Sequence, residues 1–372
     1  MDRCDALIVG GGPAGSTCAR ALSSAGLDVI VVDRRTFPRP KVCAGWVTPP
    51  VFRDLGVTPQ EYGAGRVCQA IRGFRLGLLG RPPVEVDYGR AVSHGVLRSE
   101  FDHYLLERSG ARLVLGEPVG GVERAAGGWI INARFRAPVV VGAGGPRCPV
   151  ARALGLGGRG PLVAALEAEF RLGPEGRALC RVDPERPELY FLPNLEGYGW
   201  CFRKGDTLNV GLGREDARGA AAAFAAFVDR LRAAGRIPAV PRERVRGHAY
   251  RLWEGAARTL VSDGALVVGD AAGLAHPKSG EGIRPAVESG LLAARTILVA
   301  RGDYRRSNLE PFCAYLAQQL GPGAPQRSAF AAPVIRVAAR VLLGVPALAR
   351  SVVLDRWFLR RGEAPLSHAA PG

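Results

Sequence analysis

The sequence predicts an α/β fold. A doubly wound layer of parallel strands is interrupted by an antiparallel-sheet lobe and followed by a helical C-terminal segment. Three observations carry this reading. A short apolar run, Ala6-Leu7-Ile8-Val9, enters Gly10-Gly11-Gly12-Pro13-Ala14-Gly15 and then a helical stretch. Two further buried-type strands, over 138–141 and 265–268, also stop at glycine turns. Between them, residues 161–261 carry strand signals of a more antiparallel kind.

The elements follow in order. The first unit reads as strand 6–9, helix 16–25 closed by Gly26, and strand 28–32 ending at Asp33. Residues 96–107 read as helical and 112–115 as a strand, and 119–124 with 129–133 form a candidate hairpin. In the lobe, 163–170, 188–192, 207–212 and 245–252 read as strands. One helix interrupts them, because Phe224, Phe227, Val228 and Leu231 fall at i, i+3, i+4 and i+7. A second long helix is expected over 282–299. Residues 331–361 are apolar but cut by Arg336, Arg340, Arg350, Arg356, Arg360 and Arg361, and Pro346 divides them into two short helices.

Composition narrows the function classes. A length of 372 residues fits two to three lobes, and 47% hydrophobic residues exclude a disordered chain. The net charge of +16 invites a polyanion. The basic residues argue against nucleic acid: only Lys41, Lys204 and Lys278 are lysines, and the 47 arginines are scattered. A solvated, composition-biased surface explains the charge, and it leaves room for anionic lipid or an acidic electron donor. The eight cysteines show no Cys-x-x-Cys pair and no Cys/His ligand spacing, so no metal site is expected. Residues 1–5 lack the features of a signal peptide, and no uncharged apolar run reaches the ~20 residues of a bilayer span. The expectation is a cytoplasmic chain with reduced thiols and, at most, peripheral membrane contact.

The motifs carry the chemistry. Gly10, Gly12 and Gly15, with Pro13 and Ala14 between them, lie between strand and helix, where a pyrophosphate sits on a helix N-terminus. Asp33 follows Gly10 by 23 residues, in place to accept from a ribose hydroxyl, with Arg34 beside it. Gly142-Ala143-Gly144-Gly145 ends the second strand. Gly269-Asp270-Ala271-Ala272-Gly273 ends the third, followed by His276-Pro277-Lys278-Ser279-Gly280-Glu281-Gly282-Ile283.

Together these three motifs resemble the flavin signatures of the para-hydroxybenzoate hydroxylase-like superfamily. The resemblance implies FAD, with Asp270 on ribityl hydroxyls and Gly280, Gly282 and Ile283 at the flavin ring. Two further segments resemble the geranylgeranyl reductase family. Lys41-Val42-Cys43-Ala44-Gly45 is similar to that family's Lys-x-Cys-Gly-Gly stretch. Tyr198-Gly199-Trp200-Cys201-Phe202-Arg203, trailed by Gly211-Leu212-Gly213, resembles its substrate-lobe motif. Arg98 matches an arginine the family uses near FAD. The chain departs from the family pattern at Ala44, Gly144 and Arg203, and Lys278 adds a cation near the expected flavin ring.

The resemblance implies a Rossmann-like FAD-binding domain built from 1–73, 91–160 and 262–320. A substrate lobe comes from 74–90 and 161–261, and a helical segment from 321–372. It implies an FAD-dependent oxidoreductase that reduces carbon–carbon double bonds of a prenyl or related lipid, with electrons from NAD(P)H or a ferredoxin-like donor. Cys43 is the candidate catalytic residue. Tyr198, Trp200 and Phe202 are the candidate substrate contacts, and the residues of the flavin motifs, with Lys41 and Arg98, the cofactor contacts. An FAD monooxygenase of an aromatic or polyketide substrate shares the same flavin motifs, and a flavin-binding electron carrier without turnover stands as a third reading.

Overall fold

The structure is a computed structural model describing residues 1–158, 160–193, 195–255, 259–321, 323 and 332–363, with side chains of the last helix described from 337 onward. Ala331 and the side chains of Val334, Ile335 and Arg336 therefore lie outside the described residues.

Five strands build the parallel layer. In spatial order they are Ala265–Val267, Val139–Gly142, Ala6–Val9, Val29–Asp33 and Arg112–Leu115, with Val261–Ser262 antiparallel at one edge. Their Val, Ile and Leu side chains are enclosed on both faces along the three central strands, as a sheet covered on both sides requires. Spatial neighbours are distant in sequence, so three strand ends share one edge. The Ala143 N–H donates to the Val9 carbonyl at 2.8 Å and the Val268 N–H to the Gly142 carbonyl at 3.0 Å. That edge, at the carboxyl ends of the strands, is where such sheets bind ligands.

The first helix spans Pro13–Ser24, not 16–25, because Pro13 fits the first helical position. It crosses the long helix Ile283–Ala300, and a Cβ at Gly290 would run into the Ala14 carbonyl there. The helix expected from 96 begins at Arg98, since Ser93–Val96 is a strand paired with Trp46–Val47 and Cys68–Ile71.

The lobe is a seven-stranded sheet. Its order is Val245–Arg251, Leu162–Arg171, Thr207–Arg214, Gly197–Lys204, Glu188–Phe191, Gly73–Leu78, Val84–Asp87. All neighbours run antiparallel except Glu188–Phe191 beside Gly73–Leu78. On one face Leu208, Val210 and Leu212 pack under the helix Ala220–Ala233 through Phe224, Phe227, Val228 and Leu231, the stripe its periodicity predicted. The opposite face carries Leu189, Phe191, Trp200 and Phe202.

The C-terminal segment breaks at Pro346, as expected, and bends by 93° between Val337–Gly344 and Pro346–Phe358. Among the described residues, its buried apolar side chains lie outside the core of the parallel layer. Leu343, Ala349, Val353, Leu354 and Phe358 instead fill the inner face of the lobe, against Phe74, Phe191 and Phe202. Among the described residues no single helix is long and apolar enough to cross a membrane. All eight cysteines are free thiols.

Candidate active site

The three glycine motifs meet. Gly10 has φ of +117°, which a side chain rarely adopts, and a Cβ there would run into Ala143. Gly15 packs just as closely on the Gly10 carbonyl. Gly12 is different: beside its Cβ position the nearest atom is Nη2 of Arg39, at 3.6 Å. The helix behind it starts with no side-chain cap. An open glycine, uncapped first-turn N–H groups and a nearby guanidinium suit a pyrophosphate. Asp33 is 9% exposed and accepts from the Gly11 N–H at 2.7 Å and the Arg35 N–H at 2.8 Å. Those bonds aim the carboxylate at the loop, while Arg34 is exposed at the rim.

Arg98 is buried and holds Asp102 with two bonds, at 2.8 and 3.0 Å. Burial alone would lower its pKa, but Asp102 and the nearby Cys43 raise it, so it stays charged. Arg39 reaches the same carboxylate at 3.4 Å. Two cations thus share one buried anion, leaving net positive charge beside the glycine loop.

Asp270 follows the third strand, in the turn Gly269–Ala271. Burial pushes its carboxyl up. The His248 ring nitrogen at 3.4 Å and the Lys41 ammonium at 3.9 Å outweigh that and hold it below its usual value. A Cβ at Gly282 would come within 3.3 Å of Asp270 Oδ1, so the turn and the start of helix Ile283–Ala300 face each other. Gly269 is itself pressed against Ala14, and its N–H donates to Ser289 Oγ at 3.1 Å. Gly280 packs on the Tyr250 hydroxyl. The cofactor candidates therefore form one continuous cradle.

The lobe closes on it. The Tyr198 hydroxyl donates to the Ser279 carbonyl at 2.5 Å. Cys43 is half-buried, its Sγ accepting from the Gly45 N–H at 3.3 Å. Trp200 and Phe202 lie on the same lobe face as Tyr198 but are 6% and 1% exposed. Phe202 is sealed beneath Trp46, with ring centres 5.7 Å apart. Phe358 of the C-terminal segment stacks on Trp46 at 5.2 Å and meets Tyr198 edge-on at 5.4 Å. Lys278 is exposed. His276 is packed in its loop, its Nδ1 3.1 Å from Ser279 Oγ.

The sequence reading missed a polar group under this face. Glu167, Glu169, Lys204 and Asn209 surround the Cys43 loop, and Lys204 is 1% exposed with its ammonium on Glu169 at 2.5 Å. The signal was available in the alternation of strand Leu162–Arg171. Glu167 and Glu169 share the inward face with Val163 and Ala165. Arg39, Asp102 and His248 carry no motif signal and come together only through the fold.

Residues 3–107 match the family described as FAD binding domain. The chain is 30% identical over 306 residues to a digeranylgeranylglycerophospholipid reductase of Methanocaldococcus jannaschii, covering 78% of this chain and 75% of that protein. It is 29% identical over 327 residues to a menaquinone reductase of Mycobacterium tuberculosis, covering 80% and 77%. A geranylgeranyl bacteriochlorophyll reductase-like protein from Thermoplasma acidophilum shares the fold, with a TM-score of 0.72 and 20% identity over 95% of this chain and 99% of that one. The protein binds FAD, and the cradle fits that cofactor: an open glycine at the phosphates, a carboxylate at each end and cations beside the loop. Motifs, strand order and kinship agree, and the chain belongs to the geranylgeranyl reductase family of FAD-dependent oxidoreductases.

Proposed function

We propose that the enzyme reduces isolated carbon–carbon double bonds in a prenyl or related lipid chain. The observation that carries this reading is the aromatic wall of Trp46, Phe191, Tyr198 and Trp200 beside the Cys43 loop, which Phe358 of the C-terminal segment covers in this structure. An uncharged chain gains from apolar contact and offers no hydrogen bonds, and this wall asks for none. Relatives named as reductases of a digeranylgeranylglycerophospholipid and of menaquinone support a lipid substrate.

FAD, when bound, supplies the hydride. Gly10, Gly12, Pro13, Ala14 and Gly15 take the pyrophosphate, Asp33 and Arg34 the adenosine end, and Gly142, Ala143 and Gly144 the wall behind it. Asp270 and Gly269 take the ribityl chain, and Gly280, Gly282 and Ile283 the ring. Lys41 and Arg98 place positive charge at the cradle, which favours the anionic, reduced cofactor. Cys43 presents its thiol on the substrate side as the proton source for the second carbon. Tyr198, Trp200 and Phe202 shape the wall, with Tyr198 in direct contact and Phe202 supporting from beneath. The net charge of +16 suits an acidic ferredoxin-like donor, and NAD(P)H binding transiently is the other source of electrons.

The same reading places the enzyme at a membrane surface. Val337, Val341 and Val345, spaced four apart, expose one apolar stripe, and Arg340 and Arg350 are exposed nearby. Such a segment lies in the interface plane.

Product analysis under strict anaerobiosis tests the proposal. A geranylgeranyl lipid should gain a pair of hydrogens per reduced bond without oxygen. Product formed only with stoichiometric oxygen consumption would assign a monooxygenase instead.

A further inference from the structure

The Cys43 main chain is gripped from the lobe at both of its polar groups. Its N–H donates to Glu167 Oε2 at 2.6 Å, and its carbonyl accepts from Asn209 Nδ2 at 3.1 Å. The same Asn209 amide reaches Glu167 at 3.3 Å and Glu169 at 2.9 Å, and Asn209 Oδ1 accepts the Trp200 indole N–H at 2.7 Å. Asn209 is fully buried and Glu167 is 4% exposed. One chain of hydrogen bonds therefore runs from the lobe's tryptophan to the loop that carries the thiol.

We propose that Glu167 and Asn209 are positioning residues: they fix the Cys43 loop from the lobe side and tie the reactivity of the thiol to the charge on Glu167. This rests on the reading of Cys43 as the substrate-side thiol. Within the cluster, Glu169 has a cation of its own in Lys204, whereas the hydrogen-bond donors to Glu167 among the described residues are neutral, the Cys43 N–H and the Asn209 amide. Burial, then the charge of Glu169, raise the Glu167 carboxyl to about 7, against the pull of Lys204 and the two donors. From the other side the loop meets Arg98, kept charged by Asp102, Lys41, whose pKa burial lowers against the pull of Asp270, and the neutral phenols of Tyr198 and Tyr250. Of these groups, Glu167 is the one raised into the neutral range. Above that range it places a negative charge at the main chain of the loop that carries the thiol.

The test is alkylation of Cys43 in the FAD-loaded enzyme, read on its peptide by mass spectrometry across neutral pH. It needs no substrate, so failure of the lipid reading leaves it intact. Glu167→Gln keeps an acceptor for the Cys43 N–H and removes the charge. Its alkylation should outrun wild type by about threefold or more on the alkaline side and match it on the acid side, the scale expected of one nearby like charge. Asn209→Ala should accelerate alkylation at every pH by freeing the loop, while Asn209→Asp restores no grip. Retained flavin absorbance certifies each variant as folded. Superimposable profiles for wild type and Glu167→Gln would overturn the proposal and leave Glu167 as packing.

Discussion

The indole of Trp200 occupies the space that a side chain at position 211 would need, so the trailing Gly-x-Gly of the lobe motif is a seat for that ring. Strands Gly197–Lys204 and Thr207–Arg214 pair Trp200 directly with Gly211, and the Trp200 N–H is fixed by Asn209. Gly199 makes the same allowance on the other face, for Phe227. A motif spaced along the sequence is thus a packing rule across two strands.

Gly211→Ala should therefore destabilise the lobe. Forcing a side chain into filled space costs about 1–3 kcal/mol. Urea unfolding should show the lower midpoint, and adding Trp200→Phe should recover part of it. An unchanged midpoint would mean that the ring has room to move aside.

Asp270→Asn should weaken FAD binding by about tenfold or more, the worth of a hydrogen bond to a charged group. The sign with pH follows from its lowered pKa. The charged form is favoured in the fold, so its contribution is full above the ordinary carboxylate value and is lost as acid protonates it. FAD titration of the apoprotein should show a wide gap between wild type and variant near neutrality, closing in acid. A constant gap would assign Asp270 a packing role alone.

The parallel layer was legible because each of its central strands is a short apolar run ending at a glycine turn. The lobe was legible only in part. Strand Gly197–Lys204 was read as a motif, since Tyr198, Trp200 and Phe202 point one way while Gly199 and Cys201 disguise the other face. The polar cluster of Glu167, Asn209 and Lys204 carries no motif, because its members lie on three neighbouring strands of the lobe sheet and meet only once those strands pair. The C-terminal segment was read correctly at its break. Its partner is not legible in the sequence, because no local pattern says which apolar face a helix covers.

Glu281 makes a prediction about stability. It lies between Gly280 and Gly282, and neither carboxyl oxygen has a hydrogen-bond partner among the described residues. Burial raises it from 4.5 to about 7, against the pull of Arg360 and Arg284. A raised acid stabilises the fold below its unfolded value and loses that contribution as pH climbs towards the folded one. Glu281→Gln should therefore gain on wild type between those two values, by about 3 kcal/mol, and hold a constant lead above them. Chemical denaturation of the holoenzyme across that range checks it. A lead independent of pH would show that the carboxyl titrates normally.

The exposed valines predict membrane behaviour. Wild type should float with anionic vesicles at low salt more than with neutral ones, and less as salt screens the arginines. Replacing Val337, Val341 and Val345 together by serine should abolish flotation while leaving the flavin bound. Equal flotation with both vesicle types would remove the membrane from the account.

The central claim is tested most directly by a single anaerobic turnover. The holoenzyme is reduced with dithionite, freed of excess reductant and mixed with a geranylgeranyl lipid in an oxygen-free stopped-flow cell. The account predicts that the yellow colour of oxidised flavin returns at a rate set by lipid concentration, with one double bond reduced per flavin. A flavin that stays bleached with lipid and reoxidises only when oxygen is admitted would contradict it.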